Sequence, residues 1–150
     1  MYMNSQPSFA SQDSLDDDLL CGVGKLVCAW GVLEQRLEQK IGLLREAAGD
    51  IRTVGSRTRP GMGKLLAELR AMISMRDRRN ATVLAEIAAL ERDIQRIDRF
   101  RGLIVSGFQG PEHGGFACRD QKNAPVHVSF AQLQAEIASL NAIGERLLAL

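Results

Sequence analysis

The sequence predicts an all-α fold, an up-and-down four-helix bundle with a short hairpin-like or irregular insert before the last helix. Three observations predict it. Apolar residues recur in alternating steps of three and four along several stretches, as they do on the buried face of a helix. Glycine and proline cluster at 52–64 and again at 107–128, and punctuate those stretches. A Ser-x-x-Gln capping box, Ser129 to Gln132, opens the final stretch.

Residues 1–13 are polar and read as a flexible N-terminal tail. Residues 14–150 read as a single helical domain, long enough to bury a core. Ser14 is placed to cap the first helix, with Asp16, Asp17 and Asp18 in the first turn, where the helix dipole favours acid. Leu19, Val23, Leu26, Trp30, Leu33, Leu37, Ile41 and Leu44 follow at helical spacing. Gly22, Gly24, Gly31 and Gly42 weaken this helix but permit close approach of a packing partner. It ends at Gly49-Asp50 or at Gly55.

The segment 52–64 reads as a loop, and a second helix runs from about Gly61 to Met75 with Leu65, Leu66, Leu69, Met72 and Ile73 inside. "RDRRN" at 76–80 is a charged junction. The third helix carries Leu84, Ile87, Leu90, Ile94, Ile97 and Ile104, with an arginine at stripe position 101. Six glycines and prolines break any helix over 107–128, where "GFACRDQKNAPVHV" suits a short hairpin turning near Lys122-Asn123. The last helix buries Phe130, Leu133, Ile137, Leu140, Leu147 and Leu148.

Composition is that of an ordinary soluble protein, 45% hydrophobic and 25% charged, with a net charge of +1. Charge is uneven along the chain. Four aspartates stand without a basic residue in the first eighteen positions, whereas 52–79 carries Arg52, Arg57, Arg59, Lys64, Arg70, Arg76, Arg78 and Arg79 against Glu68 and Asp77. A neutral protein with a basic middle of this kind can still bind phosphate on one face. Three cysteines, Cys21, Cys28 and Cys118, fit neither a zinc pattern nor a disulfide framework, and Cys21 and Cys28 read as small core residues. The start lacks the basic and apolar regions of a signal peptide, and no apolar run approaches the ~20 residues of a membrane span, so a cytoplasmic protein without membrane contact is expected.

"PGMGK" at 60–64 is not a phosphate loop, because Thr58 and Leu65 stand where glycine and Ser or Thr are required. Arg57, Arg59 and Lys64 still surround a helix N-terminus, and such ends hold anions. His113 and His127 are the only histidines, and no set of ligands has metal spacing; no metal and no small-molecule cofactor are expected. "SGFQG" does not supply a nucleophile elbow. Aromatic residues are too few for a base-stacking platform.

Arg101 is the residue out of place. On a helix seam it either packs its stem and pairs its head with a carboxylate, or directs a guanidinium at phosphate. Its surroundings carry a resemblance. A long first helix with "LVCAWGVLEQRLEQKIGLL", a basic loop, a third helix ending in "DRFRGLIVSGF", a glycine-rich insert and a capped last helix together resemble the HEPN family of four-helix bundles over residues 19–150. Ribonucleases of that family carry a string like Arg-Asn-x-x-x-His-Gly. Here Arg101 and Gly107 match, Gly102 replaces the polar residue, and Ser106 stands in place of histidine.

The resemblance implies a bundle that pairs as a homodimer around an anion-facing arginine. Cleavage through a ribose hydroxyl needs proton transfer near neutral pH, for which imidazole is suited and a serine hydroxyl is not. Arg101 and Ser106 are therefore expected as a catalytic remnant, and Arg57, Arg59, Lys64 and Arg101 as contacts for an anion or RNA. The expected role is non-catalytic binding of RNA or a protein complex, in bacterial or mobile-element conflict. The alternatives are a metal-independent endoribonuclease of toxin–antitoxin type, with His113 as substitute base, and a small phage-type inhibitor or adaptor docking on a nucleic-acid-processing complex.

Overall fold

The computed structural model describes residues 9–49 and 60–150, with side chains from Asp16 onward. Over these residues the chain is mostly helical: α1 (Phe9–Ala47), α2 (Met62–Arg76), α3 (Ala81–Gly107) and α4 (Phe130–Leu148). The expected all-α fold is corrected in one respect. The insert between α3 and α4 is a three-stranded antiparallel meander, β1 (Phe108–Glu112), β2 (Gly115–Arg119) and β3 (Pro125–Ser129), in the order β1-β2-β3. The hairpin expected from "GFACRDQKNAPVHV" is the β2–β3 pair. The strand "FQGPE" was hidden because glycine and proline are poor strand residues, tolerated here at a sheet edge.

Contacts divide the chain into two compact units. Among the described residues, a helical unit comprises 29–49, 60–98 and 139–150, and a sheet unit comprises 9–28 with 99–138. The helical unit takes the later part of α1, all of α2, the earlier part of α3 and the end of α4. Its core is a stack of aliphatic residues from each stretch: Trp30, Leu33, Leu37 and Ile41; Leu65, Leu69 and Ile73; Ile87, Leu90, Ile94 and Ile97; Leu140, Ile143 and Leu147. Ion pairs ring it. Arg45 pairs with Glu68, Arg70 with Glu91 at 3.2 Å, and Arg146 with both Glu86 (2.9 Å) and Asp93 (2.7 Å).

In the sheet unit the inner face of the sheet is made by Phe116, Cys118 and Val128, all fully buried, beside Leu26, Ile104 and Leu133 in the same core. Phe108 joins them with its ring centroid 5.8 Å from that of Phe116. The β1–β2 turn is His113-Gly114, and Gly114 adopts φ +74°, a region open to glycine at no steric cost. Asp120 closes the β2–β3 turn by accepting hydrogen bonds from the amides of Lys122 and Ala124.

Helix ends follow side-chain chemistry. Ser129 Oγ accepts from the Gln132 amide at 3.0 Å, as the capping box requires. Asn80 caps α3 in the same way through the Val83 amide. Ser14 does not cap α1, because the helix already starts at Phe9 and no acid lies in its first turn; residues 9–13 of the expected tail are helical, and residues 1–8 lie outside the described residues. Cys21 and Cys28 are exposed, on the side of α1 away from the Leu19–Leu44 stripe, and are not core residues. In α4, Ile143 takes the buried position and Leu148 is 60% exposed.

Candidate functional site

The α3 stripe explains Arg101. From Ile97 a helix face continues to position 100 or 101 with equal right. The structure gives the core position to Phe100, so the buried line runs Ile97, Phe100, Ile104. Arg101 lies at the border of that line, half-buried, with its Nε atom enclosed. It does not occupy the seam itself.

Ser106 is exposed. Five residues along an α-helix turn about 140° around its axis, so Arg101 and Ser106 leave α3 on different sides. Gly107 is buried for a reason unrelated to chemistry. A Cβ on it would lie 2.0 Å from the carbonyl oxygen of Arg119, so the end of α3 is pressed against the backbone of β2. Gly102 has open space where its Cβ would be.

Of the expected anion cluster, Lys64 is exposed in the first turn of α2, while Arg57 and Arg59 lie outside the described residues. Much of the basic middle is already engaged. Arg70 is held by Glu91, and Arg76 donates to Asp77 and to the backbone oxygen of Leu150. Arg78 and Arg79 stay exposed on the α2–α3 turn, where they border an open depression of about 600 Å³ beside the capped start of α3.

The sheet supplies a pair that periodicity did not reveal. Glu112 faces Gly115 across β1–β2, and His127 faces Ala117 across β2–β3. Side chains two apart share a face, so Glu112, Ala117, Arg119 and His127 all belong to the outer face. Glu112 Oε2 and His127 Nδ1 meet at 2.6 Å across the central strand, above residues with almost no side chain. Arg119 stands one step along the same face, with Nη1 donating to the Asn123 carbonyl at 2.9 Å. His113, the expected substitute base, is exposed in the β1–β2 turn. The alternation in "GFACR" and "PVHVS" assigns His127 to the outer face, but the pairing with Glu112 needed the register and the unrecognised strand β1.

Compared with protein-family models, curated proteins and solved structures, the chain matches none.

Among the described residues, three groups have shifted pKa values. The Cys118 thiol is raised, first by burial and then by the charge of Glu112. Lys40 is lowered, first by burial and then by neighbouring Arg76. Arg146 is raised by its hydrogen bonds to Asp93 and Glu86. Among the described residues no group of three His, Cys, Asp or Glu side chains is gathered as metal ligands, and no helix is long and apolar enough to cross a membrane.

Proposed function

We propose that this chain is a HEPN-like helical protein that acts by binding RNA or a protein complex, and that the arginine motif of the family no longer cleaves. The finer architecture, an up-and-down bundle pairing as a homodimer, belongs to the same reading. The observation that carries it is the residue at position 106: Ser106, exposed near the end of α3, stands where the family string has its histidine, five residues after half-buried Arg101. A serine hydroxyl does not exchange protons near neutral pH as an imidazole does. Exposed Arg78 and Arg79 add positive charge of the kind that contacts phosphate without reading sequence. For the dimer, Leu20 (70% exposed) and Val27 (54% exposed) lie on the outer side of α1 with Gly24 between them. Large exposed apolar side chains beside a glycine suit a close helix contact.

The test is fluorescence anisotropy with a labelled single-stranded RNA at two salt concentrations, with the same samples run on a denaturing gel. Binding that weakens with salt, and falls again in an Arg78→Ala, Arg79→Ala variant, with intact RNA throughout, is the expected result. Cleavage lost in Arg101→Ala would overturn it. The endoribonuclease reading gains from one observation, the Glu112–His127 pair. Cleavage that survives Arg101→Ala and disappears in His127→Asn would establish that reading in its place.

A further inference from the structure

A second site lies in the sheet unit, where the early part of α1 meets the start of α4. Asp18, Cys21, Gly22 and Lys25 of α1 and Phe130 and Gln134 of α4 line a surface cavity of about 280 Å³. Residues three, four and seven apart share one face of a helix, so the α1 residues form one continuous wall. Phe130 and Gln134 stand one turn apart on α4. Gly22 is buried, and a Cβ on it would lie 2.5 Å from Leu133 Cδ2. The two helices therefore touch at Gly22, and the cavity opens beside that contact.

Its chemistry is a thiol between opposite charges. Asp18 stands one turn before Cys21 and Lys25 one turn after it, and all three are exposed. Among the described residues neither Asp18 nor Lys25 forms an ion pair, so both charges are open to a ligand. Half-buried Phe130 adds apolar surface, and the Gln134 amide both donates and accepts. Cys28 is the contrast. It is equally open to solvent on the same helix, but it lines no part of this cavity. Lys25 lies within a turn of it, yet no carboxylate does: Gly24 precedes it by a turn, and Gly31 and Val32 follow by one.

Spacing selects the ligand. From Asp18 to Lys25 the helix rises about 10.5 Å, at ~1.5 Å per residue. An extended peptide of three residues spans about 10 Å. A tripeptide with cysteine in the middle therefore lays its ammonium end at Asp18, its sulfur at Cys21 and its carboxylate end at Lys25. A single amino acid carries both charges on one carbon and does not match the two ends together. The volume, near the lower end of the ~300–1,000 Å³ usual for small-molecule sites, suits a ligand of this size.

We propose that this cavity takes the disulfide of a zwitterionic cysteinyl peptide and exchanges with it at Cys21. The Cys21 thiolate attacks one sulfur of the peptide disulfide. A new S–S bond joins Cys21 to one peptide, and the old S–S bond breaks. The second peptide leaves as a thiolate with the electron pair and takes up the proton that Cys21 released. Cys21 is oxidised and half of the peptide disulfide is reduced, so the exchange balances with no other oxidant. The inference goes beyond the binding role proposed above and does not depend on it, because no residue of the cavity belongs to the arginine motif or to the α2–α3 turn.

The experiment incubates the full reduced chain with oxidised glutathione and, separately, with neutral hydroxyethyl disulfide, cationic cystamine and anionic dithiodiglycolate. Peptide mass spectrometry times the mixed disulfide at each cysteine. The Cys21-to-Cys28 rate ratio with oxidised glutathione is expected to exceed that with each other reagent by about ten-fold, roughly three-fold from each charged contact. Asp18→Asn and Lys25→Gln should each slow glutathione exchange at Cys21 about three-fold, with the hydroxyethyl disulfide rate and the circular dichroism unchanged. A glutathione ratio no higher than that of the neutral reagent or of either like-charged one, or indifference to both substitutions, overturns the proposal.

Discussion

Gly107→Ala probes the junction between α3 and the sheet. The added methyl would lie 2.0 Å from the Arg119 carbonyl oxygen, 3.1 Å from its carbonyl carbon and 3.2 Å from its nitrogen. Carbon and oxygen at rest stay more than 3 Å apart, so α3 and β2 must separate by about 1 Å. Both neighbours are backbone, and neither yields by rotating a side chain. Overpacking of this kind costs about 3 kcal/mol. Replacing a helical glycine by alanine returns at most ~1 kcal/mol, and less at the last residue of a helix. The net loss is then about 2–3 kcal/mol, or roughly 4–12 °C in Tm for a chain of this size.

Gly102 is the internal control. It lies in the same helix, five residues earlier, with nothing within 4 Å of an added Cβ. Gly102→Ala gains the helix propensity alone, up to ~1 kcal/mol, and raises Tm by about 2–4 °C. Thermal melts followed by circular dichroism, with urea midpoints at constant slope, measure both. The reasoning is refuted if Gly107→Ala melts with the wild type, or if the two substitutions move Tm in the same direction. A large loss at Gly107 alone makes it a packing residue rather than a site residue of the arginine string.

Further outcomes follow from other parts of the structure. In the native protein a neutral alkylating reagent should modify Cys21 and Cys28 but spare Cys118, which is buried and raised in pKa, whereas denaturant should expose all three to mass-spectrometric detection. Ser129→Ala removes the α4 cap and should lower stability by about 1 kcal/mol, read as a lower urea midpoint. Lys40 has a depressed pKa when folded, so its charged form opposes folding below that pKa, and the penalty is relieved as pH rises toward the ordinary value of 10.5. Lys40→Met should therefore raise Tm at pH 7, with an advantage over wild type that shrinks at higher pH; a constant difference would refute the assignment. Light scattering should give about twice the 16.4 kDa chain mass, falling to the monomer in Leu20→Lys, Val27→Lys; a wild-type monomer at micromolar concentration would refute the α1 contact.

Local rules made several elements legible. The buried faces of α1 and α2 follow from spacing, because a side chain three or four residues on meets the same surface whatever the partner is. The cap of α4 follows from a hydroxyl three residues ahead of an amide. The same rules failed where two answers were locally equal. Position 100 or 101 continues the α3 stripe equally well, and only the core chose Phe100 over Arg101. Cys21 and Cys28 share a stripe with each other but lie on the side of α1 opposite Leu26 and Leu33, and hydrophobic size did not reveal which side is covered.

By itself, then, the sequence determined the helical character of the chain, most of the buried aliphatic faces of its helices and the break at 107–128, because these depend on neighbours within a few residues. Tertiary structure decided the third strand, the meeting of Glu112 with His127 and the reason for Gly107. Each joins residues far apart in the chain, and a contact of that kind is set by register and by the fit of one backbone against another, which no local spacing encodes.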